Sequence, residues 1–133
     1  MRRLLPFRTA GWVLIALLGA ACVFQLFVLA GFIPTEMVWG GRLANAEERT
    51  VGATVSLSTL ILMISVVVLR LKASSVRGQI IGRYGAWAMV LLFALNTVGN
   101  LFALDQRETW IFTPITALSA LLAWRVALGE GKS

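Results

Sequence analysis

The chain has 133 residues, 59% hydrophobic and only 14% charged, with a mean hydropathy of +0.85. A soluble domain carries about 25% charge, so this composition excludes a water-facing globular surface and implies a single membrane domain over residues 1–133. A net charge of +6 would suggest nucleic acid in a soluble chain, but no basic stretch here is interleaved with aromatics on a polar surface, and no nucleic-acid partner is expected.

Met1 to Thr9 is short and basic, and the first apolar run, Ala10 to Phe32, carries no charge. A secretory signal has the same beginning, but signal cores stop after about 7 to 15 apolar residues. Here "VFQLFVLAGF" continues the run beyond Cys22, so the segment reads as an anchor that stays, with Cys22 as a packing residue. Cys22 is the one cysteine, and there is no histidine. Internal disulfide exchange, imidazole triads, His-built zinc sites and histidine-ligated haem are thereby excluded. No cofactor and no metal are expected.

The longest polar connection, Ile33 to Thr50, follows, with a structured outer loop expected from Ile33 to Asn45. Asn45 can cap a helix start while Glu48 reaches back, which places that start near Ala46 and membrane entry near Val51. The second apolar run is Val51 to Leu69, and Arg70 to Arg83 reads as a basic loop. Tyr84 to Leu104 is the third run and Ile111 to Leu128 the fourth. Each approaches the ~20 residues that cross a bilayer core. Pro114 suits a first helical position with Thr113 as its cap, which would start the regular part of the fourth helix there. The expected fold is all-α, an integral membrane four-helix bundle.

Charge orients it. One set of loops and ends holds nine basic residues: Arg2, Arg3, Arg8, Arg70, Lys72, Arg77, Arg83, Arg125 and Lys132. The other holds three: Arg42, Arg49 and Arg107. Positive charge stays inside, so both termini are expected in the cytoplasm. Trp12, Trp87 and Trp124 fall at the inner ends of helices and Trp39 and Trp110 on the outer side, as interfacial belts require.

The middles of the four runs contain no ionisable residue, which disfavours a proton relay through the bilayer centre. The first helix offers only Gln25 there. Small residues repeat every four at Ser119/Ala123/Ala127, Gly52/Ser56 and Gly99/Ala103, spacings that let helices approach closely. Asn96 and Asn100 share the Gly99/Ala103 face, so the simplest expectation puts both in a helix–helix seam, with at least one bonded to helix four or the outer loop. Polar groups gather on the outer side, and the candidate site is Glu36, Trp39, Arg42, Asn96, Asn100 and Glu108. Such a cluster either holds a zwitterionic or cationic ligand or pins the loop to the bundle, with Arg42 paired to Glu36 or Glu108. Nothing in it fixes a nucleophile, and no catalytic residue is expected.

The stretches "FIPTEMVWGGRL", "NTVGNLFA" and "FTPITAL" resemble a family of small bacterial four-helix membrane proteins with no assigned activity. The resemblance implies a four-helix bundle in a bacterial inner membrane and supplies no site residue. Small fluoride channels and small multidrug exporters share the helix count, but their motifs are absent. The expectation is a non-enzymatic accessory, scaffold or small-ligand-binding bundle. The alternative is a homo-oligomeric transporter or channel lined by Asn96, Asn100 and Gln25. Expected partners are the lipid bilayer and either further copies of this chain or another membrane protein.

Overall fold

A computed structural model describes residues 5–32, 46–102 and 106–129, and these are helical apart from short turns and ends. The helices are α1 (Phe7–Ala30), α2 (Ala46–Lys72), α3 (Val76–Leu101) and α4 (Gln106–Leu128). Each contains a stretch long and apolar enough to cross a membrane.

Local chemistry explains most of the boundaries. Pro6 precedes α1 in an extended conformation, and its carbonyl accepts the first helical bond from Ala10 N–H at 2.9 Å. Gly31 ends α1 in the left-handed region, φ 84°, where a Cβ would be penalised. Its N–H donates to Val28 and the Phe32 N–H to Phe27, both at 3.0 Å. These two bonds make a Schellman motif, and the expected apolar contact across it is the Phe27–Phe32 ring pair, 6.1 Å between centroids. Helix α2 carries Glu47 and Glu48 in its first turn and Arg70 and Lys72 in its last, each sign at the pole the helix dipole favours. Ser75 caps α3 by accepting from the Gly78 N–H at 3.1 Å, which satisfies one orphan donor of the first turn.

Two segments differ from the sequence expectation. The basic stretch Arg70 to Arg83 is not a loop: α2 runs on to Lys72, α3 starts at Val76, and only three residues lie between them. Helix α4 begins at Gln106 and passes through Pro114 rather than starting there. The outer connection Ile33 to Asn45, with the Asn45 cap, lies outside the described residues.

Each helix packs on its neighbours in the chain, and α1 closes on α4. The contacts show that neighbours are antiparallel. Gly11 of α1 lies against Leu71 near the end of α2, while Val28 near the end of α1 packs with Ala53 near the start of α2. Gly82 and Gly85 of α3 face Arg70 and Val66 respectively. The result is an up-down-up-down ring around a core that includes Leu14, Leu18, Val67, Met89, Phe93, Leu122 and Val126.

Close approach depends on small residues, because lipid tails are as apolar as leucine and van der Waals contact must hold the helices together. Ser119, Ala123 and Ala127 are buried in α4 as their spacing suggests. The small stripe of α3, however, is Gly78, Gly82 and Ala86, all buried. A Cβ on Gly82 would sit 3.1 Å from the Arg70 Cα, so backbone meets backbone there. Gly99, expected on a packing face, has open space beside it.

Candidate functional site

Away from the chain ends, α3 and α4 are joined by a polar seam. The Asn100 amide Nδ2 donates to Thr116 Oγ1 at 3.2 Å. Thr97 Oγ1 lies 3.0 Å from the same oxygen and 2.8 Å from the carbonyl of Phe93. Thr116 Oγ1 in turn reaches the carbonyls of Phe112 and Thr113 at 3.0 and 3.2 Å. A hydroxyl has one proton and two lone pairs. Thr116 therefore donates to its own helix and accepts from Asn100, while the single Thr97 proton is shared between the Phe93 carbonyl and Thr116. These contacts tie α3 to the backbone of α4.

That backbone is weakened at this level. Pro114 has no N–H, so the carbonyl four residues earlier, at Trp110, loses its helical donor. Among the described residues, the buried Thr113 hydroxyl oxygen has no hydrogen-bond partner. Phe24 of α1 packs edge-on against Phe112, 5.1 Å between centroids, so three helices converge on the turn that the proline interrupts. Three further hydroxyls are turned onto their own helices: Thr59, Ser65 and Ser119 donate to the carbonyls four residues earlier at 2.8–2.9 Å.

The predicted outer cluster divides accordingly. Asn100 meets helix four, as expected of at least one asparagine. Asn96 does not share its position: it is exposed on the outside of α3. Successive helical residues are ~100° apart, and the seam follows the Phe93–Thr97–Asn100 row instead of the Asn96–Gly99 row. Glu36, Trp39 and Arg42 lie outside the described residues, as does the side chain of Glu108, so the Arg42 pairing lies outside them too. The sequence expectation does not include Thr97 and Thr116. Their signal was the placement of Thr97 three residues before Asn100 and of Thr116 just beyond Pro114.

A stability measurement separates the two asparagines. Asn100→Leu is expected to lower the stability of the bundle by ~0.6 to 2 kcal/mol, the range for an interhelical bond in a membrane. Asn96→Leu should leave it unchanged or raise it. Denaturant titration of both variants in micelles checks this, and equal losses would contradict the geometry.

A second polar constellation lies at the opposite end, beside the described chain ends. Arg125 is 3% exposed. Its Nε donates to the Leu5 carbonyl at 2.6 Å and its Nη1 to the Gly129 carbonyl at 2.8 Å. Arg70, crossing from α2, donates from Nε to Val126 at 3.2 Å and from Nη2 to Ala127 at 3.1 Å. Its guanidinium also stands 5.7 Å from the Phe7 ring centroid. Together the two arginines cover the last carbonyls of α4, which no further helical turn can satisfy. Gly129 fits beneath them because its φ is +77° and a Cβ would lie 2.5 Å from Arg70 Nη2. Lys72 stands 5.7 Å from the Trp12 ring centroid on the neighbouring flank.

Among the described residues no three His, Cys, Asp or Glu side chains come together as a metal site would require. Set against known proteins, the chain matches no family model, no curated protein and no solved structure.

Proposed function

We propose that this chain is a non-enzymatic small integral membrane protein, an accessory, scaffold or small-ligand-binding bundle. In this reading it spans a bacterial inner membrane with both termini in the cytoplasm, as the small four-helix family it resembles would. The observation that carries the reading is the Thr97–Asn100–Thr116 seam. Thr97, Asn100 and Thr116 are engaged with each other and with backbone, an arrangement suited to holding helices together more than to passing a solute. The described basic residues support the orientation. Arg8 near the start of α1, Arg70 and Lys72 at the end of α2, Arg77 and Arg83 early in α3, and Arg125 late in α4 all belong to the end where α1 and α3 begin.

One observation favours the second reading, a homo-oligomeric transporter or channel. Asn96 is exposed on a helix face that also carries Gly99 and exposed Leu92 and Leu95, and an amide facing hydrocarbon is costly unless another polypeptide meets it.

Orientation and permeation are tested together. Reporter fusions after Ser133 and between Arg42 and Glu47 should read inside and outside respectively. Proteoliposomes holding the full chain should be no more permeable to small ions or neutral solutes than empty vesicles. A mixed orientation defeats the first part. A solute flux that Asn96→Leu abolishes would replace the scaffold with the oligomeric conduit.

A further inference from the structure

Where α2 ends, α3 begins and α4 ends, a cavity of about 390 Å³ opens between the helices. Its lining combines two chemistries: the polar Arg70, Gln79 and Arg83 and the aliphatic Val76, Ile80 and Leu128. This volume lies within the range of small-molecule sites, ~300–1,000 Å³, enough for a headgroup though not for whole acyl chains.

The polar part of the lining is cationic and uncompensated among the described residues. Arg70 directs two N–H groups at Val126 and Ala127, and a guanidinium carries five. Arg83 is exposed on α3 and close enough to Arg70 for their charges to repel. The described carboxylates, Glu47 and Glu48, are in the first turn of α2, the far end of that helix. Two like charges on one opening are relieved by an anion and worsened by a cation. Guanidinium forks match the oxygens of a phosphate group better than a point charge does.

The aliphatic lining residues tell which phosphate. Val76 and Ile80 are 74% and 49% exposed, one helical turn apart on α3. Tyr84 and Trp87, also exposed, follow within two turns, and such residues sit at headgroup level. A soluble phosphate would gain nothing from this wall, whereas the glycerol and upper acyl carbons of a lipid would lie along it.

We propose that this cavity binds the phosphodiester of an anionic membrane lipid, with Arg70 and Arg83 on the phosphate oxygens and Val76, Ile80 and Leu128 against the glycerol and upper acyl carbons. The inference rests on the membrane-spanning reading above. It places one annular lipid in a fixed position at the junction of three helices. Basic pockets between membrane helices are a known form of lipid recognition.

The test is native mass spectrometry of the full chain released from nanodiscs of equimolar phosphatidylglycerol and phosphatidylcholine. Insertion is verified first by the reporter fusions, so that a chain that fails to insert is told apart from one that inserts without a lipid site. Preferential retention of phosphatidylglycerol is expected. Arg83→Gln, at an exposed position that no described hydrogen bond uses, should reduce retention about tenfold, the scale of one lost charge-assisted hydrogen bond. Arg83→Lys should restore part of it, and Arg8→Gln, exposed on α1 outside the cavity, should leave it intact. The proposal is overturned by equal retention of the two lipids or by an equal loss in Arg8→Gln, which would signal general surface charge. Displacement of the lipid by an equal concentration of inorganic phosphate would assign the cavity to a soluble anion. Binding that appears only in Glu130→Gln would assign it to the chain's own carboxylate.

Discussion

Replacing Arg125 with alanine is expected to destabilise the bundle by about 3 kcal/mol or more, the largest loss of any single polar substitution in the described structure. Its guanidinium bridges the Leu5 carbonyl, which precedes α1, and the Gly129 carbonyl, which follows α4, at 2.6 and 2.8 Å. A hydrogen bond from a charged donor contributes about 1.5–3 kcal/mol, and both bonds are lost at once. The side chain is 3% exposed, so truncation also leaves a void that water fills poorly. Against this stands the cost of burying a charge, which alanine removes, and for that reason the expected figure is nearer the sum of the smaller bond values than of the larger. Arg125→Lys should recover only part of the loss, since one ammonium cannot span two carbonyls in a fixed fork. Denaturant titration in micelles gives the stability, and hydrogen exchange at the first turn of α1 gives the local effect. A loss below about 1 kcal/mol for the alanine variant would mean that the bridge is dispensable.

The other large effect is steric. Gly82→Leu should cost about 3 kcal/mol, the upper part of the range for overpacking, because a Cβ at this position already meets the Arg70 backbone at 3.1 and 3.2 Å. Backbone cannot rotate aside as a side-chain end can, so α2 and α3 must separate. Gly82→Ala is the informative intermediate. It gains up to ~1 kcal/mol of helix propensity and loses a comparable amount to a displacement of a few tenths of an ångström, so it should fall near neutral. Gly99→Leu is the control, with open space around it and therefore no packing cost. Should Gly82→Leu and Gly99→Leu prove equally stable, the α2–α3 contact is not the close approach described.

Hydropathy made the four spans legible because each is a long apolar run, and the end of α1 was nearly so, with Gly31 one residue before the last apolar position. The start of α3 was not. Arg77, Gln79 and Arg83 lower the hydropathy of that stretch, and they hide a helical face that is continuous through Gly78, Gly82 and Ala86. The Ser75 cap was the available signal. Pro114 misled in the opposite direction: its fitness for a first turn is genuine, but contacts from α1 and α3 hold the helix together on both sides of it. With the asparagines, a four-residue spacing identifies a face without saying which of two adjacent rows is buried. Thr97, beside Asn96, decided that row. Arg70 and Arg125 were counted as loop charges because their number sets orientation. That Arg70 covers carbonyls at the end of α4, and that Arg125 reaches the Leu5 carbonyl before α1, depends on contacts 56 and 120 residues apart, which no local pattern encodes.

The bridge from Arg125 to Leu5 has a consequence for the order in which the molecule is made. It joins positions 120 apart in the chain, so the ring cannot close until nearly all of the described chain has left the ribosome. The first three helices reach the membrane with one flank of α1 still waiting for its neighbour, and α4 arrives as a latch. Assembly is therefore gated by the emergence of α4: a nascent chain from which α4 has not emerged is an open three-helix intermediate, with the apolar flank of α1 available to whatever insertion machinery or lipid stands beside it.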